Sequence, residues 1–416
     1  MSTGPAVRRP SDWDAERLRG LATEFETPLY VLDLERVREN ARRLQAAFPD
    51  ADISYAVKAN TTRPVLETVR ETGVGAECAS AGEVQRAIDA GFSGDEVRYT
   101  AVNPPAGDLD HVVSLSREHD LVVTVGAEDT LDQLADREYD GRLCIRANPG
   151  VGAGHHEKVS TGAAPKFGVP YDRVSDLAER AVDRGFDLVG LHAHAGSGIS
   201  GEDLSAHREL VARMAELADR VIEDVTDLDF VNVGGGFGVP YRSDEAPLDL
   251  PAVADATREA FGDVDATLGI EPGRYFVADA GVLLTTVNTV KPTPETTVVG
   301  VDAGMTTLVR PAMYESYHEI TSLAPDADDR EAISAMVAGP ICETSDVLGE
   351  DRPLPAPEPG DPLAVGNAGA YGYEMSSQYN SRPRPAVVAF DGNDSRLAVR
   401  RETLTDVTRL EDPWSE

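Results

Sequence analysis

The chain has 416 residues, 73 of them acidic against 38 basic, for a net charge of −35. That length exceeds an ordinary single domain and falls short of three, so two are expected. The charge excludes nucleic-acid binding, since no basic patch outweighs such a field, and no run of about 18 apolar residues is present to span a membrane as a helix.

At the N-terminus, "MSTGPAVRRPSDWDAERLRG" has no apolar h-region and does not read as a secretory signal. Three cysteines, Cys78, Cys144 and Cys342, lie far apart without a CxxC, which fits a reducing cytoplasm and excludes a zinc finger. Small soluble domains carry a net charge of about 2–8 in magnitude, and this chain exceeds that even when scaled for length. Only four of its basic residues are lysines, Lys58, Lys158, Lys166 and Lys291. Trading lysine for arginine and acids trims exposed methylene surface, so the composition reads as halophilic, an adaptation to molar salt, where a Debye length of about 3 Å screens self-repulsion.

"TPLYVLDL" (Thr27 to Leu34) reads as a strand that residues 1–35 contribute to a β domain. Eight short apolar runs follow: "ISYAV", "VGAECA", "VRYTA", "LVVTV", "LCIRA", "LVGLHAH", "FVNVGG" and "TLGIEPG". Between them lie amphipathic segments such as "SAGEVQRAIDAG", apolar at helical spacing and closed by a glycine. Eight strand–helix alternations predict a (β/α)8 barrel over 36–280, a fold of about 250 residues; a doubly wound open sheet is the rival. Over 281–416, "GVLLTTVNTV", "TTVVGVD", "AMVAG", "DPLAVG" and "PAVVAF" read as strands of a C-terminal β domain. "DRPLPAPEPGDP" reads as a proline-rich surface loop. The fold class is α/β plus β.

Barrel active sites lie at the C-terminal strand ends, and polar residues gather there. The run at 53–57 ends in Lys58, the run at 143–146 leads into Arg146 and Asn148, and another ends in His192 and His194 before "AGSG". The seventh run opens onto "GGGFG" (Gly234 to Gly238), and the last onto Glu271, Gly273 and Arg274. A strand-end lysine is either a solvated charge or, buried among apolar residues, an amine of lowered pKa suited to a Schiff base. "GGGFG" is either a tight turn or bare backbone that can approach a phosphate. His194 is either a hydrogen-bonded core residue or a ring that stacks on a heterocycle. Glu271 is either a loop acid or a partner for a pyridine nitrogen. Taken jointly, these are what pyridoxal phosphate needs. No metal is expected, because His155, His156 and Glu157 lack ligand spacing.

"YAVKAN", "HAHAGSG", "VGGGFG" and "EPGRY" resemble the motifs of the fold-type III pyridoxal-phosphate decarboxylases, built from an alanine-racemase-like TIM barrel and a β domain. "STGAAPKFGV", "CETSD", "GAYGYEMSSQYNSRPRP" and "RRETLTDV" resemble the diaminopimelate decarboxylases within that group. The likeness runs from about Pro28 to Leu404. It implies decarboxylation of meso-2,6-diaminopimelate to L-lysine, with Lys58 linked to pyridoxal 5'-phosphate and His194 on the ring face. It places the phosphate on Ser197, Gly235, Gly236, Gly273, Arg274 and Tyr371, and the ring nitrogen on Glu271. It gives the substrate's distal carboxylate to Arg274, Arg310 and Tyr314 and its distal ammonium to Glu343, and counts Tyr371 among the substrate contacts as well. Cys342 comes to the reacting carbon from the neighbouring chain of a homodimer. The group usually has a bulky apolar residue before Gly–Ser and a Gln after it; Ala195 and Gly198 stand there in this chain. The alternatives within the likeness are a decarboxylase of ornithine, arginine or carboxynorspermidine, a racemase, and a non-catalytic homologue.

Overall fold

The computed structural model describes residues 6–151, 165–194, 196, 199 and 203–412. The chain divides into two compact units. One comprises Arg38–Val239 and Ala246–Phe276; the other comprises Gly4–Val37, Pro240–Glu245 and Val277–Glu416. Among the described residues, no helix is long and apolar enough to cross a membrane.

In the first unit each of the eight apolar runs supplies a parallel strand: β1 (Asp52–Ala56), β2 (Gly75–Cys78), β3 (Val97–Tyr99), β4 (Val122–Val125), β5 (Arg142–Asn148), β6 (Asp187–His192), β7 (Phe230–Asn232) and β8 (Thr267–Ile270). Pairing runs β4-β3-β2-β1-β8-β7-β6-β5. The ring closes where Val122–Val125 pair with Arg142–Ile145. An open doubly wound sheet has two free edges; this sheet is a closed barrel.

The helix Ala81–Asp89 shows how local sequence sets the alternation. The Ser80 hydroxyl caps it by accepting the Glu83 N–H at 3.2 Å, and the Glu83 carboxylate accepts the Ala79 N–H at 2.7 Å. Ala81, Val84 and Ala87, spaced by one turn, are buried. Gly91, at φ +91°, ends the segment in a left-handed conformation.

In the second unit the strand Leu29–Asp33 lies between Gly281–Pro292, antiparallel, and Ala386–Asp391, parallel. The helix Ala15–Phe25 packs Leu18 and Leu21 with Trp13 onto Leu29, Val31, Val282, Leu284 and Phe390 of that sheet. Each such side chain contributes about 1.5–3 kcal/mol on burial. The segment expected as a proline-rich loop departs from expectation in its first part: Val347–Pro355 is a strand that pairs with Ala332–Ala338 as far as Pro355, and 356–361 follow it as a loop. It is the last strand of its sheet path. An edge strand needs no N–H on its outer side, so Pro353 and Pro355 fit there.

Candidate active site

Lys58 sits on a single 3-10 turn, Val57–Ala59, immediately after β1. Ala56, the last residue of β1, lies opposite Glu77 of β2. That register brings the Lys58 ammonium onto the Glu77 carboxylate, Nζ to Oε2 3.0 Å, with the lysine side chain 40% exposed and the glutamate 2%. Lys58 is therefore not an amine desolvated among apolar residues; a buried carboxylate holds it. Burial pushes the Glu77 carboxyl upward, and the charge of Lys58 pulls back against that rise. A Cβ on Gly273 would meet Ala56 and Ala59 at 3.0 and 3.1 Å, so the loop after β8 packs directly on the Lys58 turn.

His192 ends β6, opposite Arg146 of β5 on one side and Asn232 of β7 on the other. Its Nε2 and Oε1 of Glu271, the first residue after β8, form a hydrogen bond of 2.8 Å, and both side chains are under 5% exposed. Glu271 Oε2 is buried with no hydrogen-bond partner among the described residues, as is His192 Nδ1. Burial works to raise the Glu271 carboxyl. The His192 charge and hydrogen bond, Lys58 and His194 outweigh burial and hold it below the usual carboxylate range. Loss of hydration pushes His194 down to about 3, so its imidazole is neutral. Its Nδ1 accepts the Gly235 N–H at 3.1 Å, which leaves the ring proton on Nε2.

The glycine run begins one residue after β7, with Val233 between them. A Cβ on Gly235 would fall on the carbonyl oxygen of Glu271, and Gly236 has φ +94°. Neither position accepts a side chain, and the backbone there is bare enough for close approach by an anion. Arg146, in the same unit, is buried, and its guanidinium lies 5.2 Å from the Phe167 ring centroid. Lys58, Glu77, Arg146, His192, His194, Gly235, Gly236, Glu271, Gly273 and Arg274 thus belong to the barrel unit, on or just beyond strand ends.

Arg310, Tyr314, Cys342, Glu343 and Tyr371 belong to the second unit. Arg310, buried, donates to Ser316 Oγ at 3.1 Å and lies 5.8 and 6.0 Å from the ring centroids of Tyr314 and Tyr371. Tyr371 has φ +55°, a conformation that costs energy for a non-glycine residue. Cys342 is exposed, and Glu343 accepts a hydrogen bond from the Tyr379 hydroxyl. Ser197, Ala195, Gly198 and the His155–Glu157 stretch lie outside the described residues. Among the described residues no cluster of His, Cys, Asp or Glu could hold a metal ion.

Sequence reading missed Glu77 altogether and gave His192 no task. For Glu77 the signal was an acid inside an otherwise apolar strand run, where an unpaired charge is too costly to keep.

Comparison with known proteins places the chain in a family. The family described as "Pyridoxal-dependent decarboxylase, pyridoxal binding domain" matches residues 34–278. The diaminopimelate decarboxylase of Methanothermobacter thermautotrophicus is 41% identical over 403 residues, covering 94% of this chain and 92% of the relative. That of Escherichia coli K12 is 37% identical over 423 residues, covering 96% and 97%. The crystal structure of the Helicobacter pylori diaminopimelate decarboxylase, complexed with L-lysine, superposes with a TM-score of 0.88 at 33% identity, covering 95% of this chain and 99% of that one. The chain belongs to the diaminopimelate decarboxylases, a family of pyridoxal-dependent enzymes.

Proposed function

We propose that this chain decarboxylates meso-2,6-diaminopimelate to L-lysine and CO2 with pyridoxal 5'-phosphate, the last step of lysine biosynthesis by the diaminopimelate route. The observation that carries the reading is the L-lysine bound in the Helicobacter pylori relative, since lysine is the product of that reaction.

The barrel residues suit the cofactor. Glu271 has one oxygen buried and unoccupied by any donor among the described residues, which is what a protonated ring nitrogen requires. Lys58 supplies an amine for the aldehyde, and the bare backbone at Gly235 and Gly236 suits the phosphate, with Gly273, Arg274, Ser197 and Tyr371 proposed beside it. Pyridoxal phosphate, when bound, supplies a conjugated ring that accepts the electron pair left by departing CO2. Glu271, ionised, would keep the ring nitrogen protonated. A neutral His194 would lie on the ring face without adding a like charge. Arg274, Arg310 and Tyr314 would take the distal carboxylate, because a guanidinium matches a carboxylate bidentately, and Glu343 the distal ammonium. Cys342, exposed on the second unit, would return a proton to the reacting carbon of the partner protomer in a homodimer. The three cysteines are all free thiols, which suits a reducing cytoplasm.

Purified protein supplied with pyridoxal phosphate and offered diaminopimelate, ornithine, arginine and lysine in turn tests the reading. CO2 release with stoichiometric lysine from diaminopimelate is expected. Because a site built around polar groups rejects analogues that lack them by about 10⁴–10⁵, faster turnover of ornithine or arginine would overturn the assignment of the distal end.

A further inference from the structure

His192 is a buried imidazole that none of the roles above uses. Its side chain is 3% exposed. Among the described residues its buried Nδ1 has no hydrogen-bond partner, and its Nε2 has one, Oε1 of Glu271, at 2.8 Å. Burying an imidazole with one nitrogen unsatisfied is costly, and an apolar side chain at the end of β6 would avoid that cost. What an apolar side chain could not do is hold Glu271. That carboxylate has two oxygens in different situations: Oε1 is taken by His192, and Oε2 is buried without a donor among the described residues. With one oxygen pinned at the end of β6, the carboxylate cannot rotate freely, and Oε2 stays available to a single incoming donor. The Glu271 backbone is held as well, its N–H donating to the Gly234 carbonyl at 3.0 Å. The groups bearing on Glu271 are His192, Lys58 and His194; Glu77 and Arg146 interact with it from β2 and β5.

We infer that His192 is a positioning residue of this site: through its hydrogen bond to Oε1 it fixes the Glu271 carboxylate with Oε2 presented to the protonated ring nitrogen of the cofactor, and so sets affinity for that nitrogen. The inference rests on the reading that pyridoxal phosphate binds here.

The test is a binding measurement on the full-length chain, with two probes: pyridoxal phosphate and its 1-deaza analogue, in which carbon replaces the ring nitrogen. The quantity read is the ratio of their dissociation constants. In the wild type the analogue binds more weakly, because Glu271 finds no N–H. His192→Phe keeps a ring of similar volume and deletes the donor. It is expected to weaken pyridoxal phosphate by about 10- to 100-fold, the worth of a hydrogen bond to a charged group, and to leave the analogue nearly unchanged, so that the ratio collapses. Equal weakening of both probes means that His192 only supports the fold, and no weakening of either means that Glu271 needs no help; both results overturn the inference. Should the phenylalanine variant fail to fold, His192→Gln decides in the same way: its amide reaches Oε1 less well, and the ratio falls at least a few-fold if the inference holds. A wild type that binds neither probe overturns the cofactor reading itself, a result distinct from failure of the His192 role.

Discussion

Two buried carboxylates near one lysine have opposite environments, and the difference assigns their work. Glu271 is held below the usual carboxylate range by His192, Lys58 and His194 against the effect of burial, whereas for Glu77 burial prevails over the pull of Lys58. Environments that push two acids apart separate a fixed charge from a group able to exchange a proton. In the proposed site Glu271 would be the fixed charge. Glu77 is the group that meets the Lys58 ammonium directly, at 3.0 Å. A carboxylate at that distance favours the charged amine, while attachment to an aldehyde needs the neutral one. Glu77→Gln should therefore move the pH midpoint for attachment of pyridoxal phosphate to the stripped chain downward, by about one pH unit or more. Stopped-flow absorbance over a pH series measures it, and an unmoved midpoint would show that Glu77 does not govern the amine. Lys58→Ala should bind the cofactor without the absorbance band of a covalent link and lose turnover; wild-type turnover in that variant would sink the assignment of the nucleophile.

At the scale of elements, the loop between Ala332–Ala338 and Val347–Pro355 carries Cys342 and Glu343, and Asp346 sets its shape. The Asp346 carboxylate is buried and accepts the backbone N–H groups of Met305 at 2.6 Å and Ile341 at 2.8 Å. A Cβ on Gly304 or Gly339 would fall on its oxygens, so both glycines make room for it. Asp346→Ala should destabilise the chain by about 2 kcal/mol, since it strands two amide donors, and should cut turnover more than cofactor affinity. Thermal melting and a cofactor titration separate the two effects; equal losses would argue for a merely structural loop. Farther along, Glu402 accepts from Arg384 Nε and Nη2 at 2.9 and 2.7 Å and from Gln378 at 2.8 Å, and these bonds outweigh burial to hold its carboxyl at about 2. A carboxyl lowered in the folded state contributes stability above its unfolded value near 4.5, and that contribution is lost as pH falls toward 2. Glu402→Gln should then melt earlier than the wild type at pH 7 and no earlier near pH 2. The barrel strands were legible because each is a compact apolar run closed by a polar residue, and helices such as Ala81–Asp89 because cap, spacing and stop agree. Strand Val347–Pro355 was hidden because proline reports on local backbone, whereas tolerance of Pro353 and Pro355 depends on a sheet edge that only tertiary pairing defines. The Lys58–Glu77 pair was hidden for a related reason: the residues stand 19 apart in sequence and meet through the β1–β2 register.

At the scale of the whole molecule, one property and one proposal can be put to test. The first is charge. With 73 acids against 38 bases, repulsion acts across the entire surface. Exposed pairs such as Arg180 with Glu128 and Asp132, or Arg208 with Glu259, offset part of it at low salt. Each such pair is worth about 0–1 kcal/mol, too little to balance the excess. Raising KCl from about 0.1 M to about 2 M shortens the Debye length from about 10 Å to below 3 Å, so the melting temperature should climb and activity should rise with it; a melting curve insensitive to salt would remove the case for adaptation to brine. The second is assembly. If each site draws Lys58 from one protomer and Cys342 from the other, then two inactive variants, Lys58→Ala and Cys342→Ala, should repair one another. In a mixed dimer one site collects both defects and the other collects neither. Random re-pairing of equal amounts makes about half the dimers mixed, each with one intact site of two, so activity should return to about a quarter of the wild-type level, as C2 symmetry requires. Homodimers of either variant recover nothing, which makes the background low. The mixture should be combined under conditions that let subunits exchange, with exchange verified by tagged chains. Activity that stays at the level of the separate variants after verified exchange would mean that Lys58 and Cys342 serve the same site from the same chain, and the shared-site reading would fall while the barrel chemistry stood.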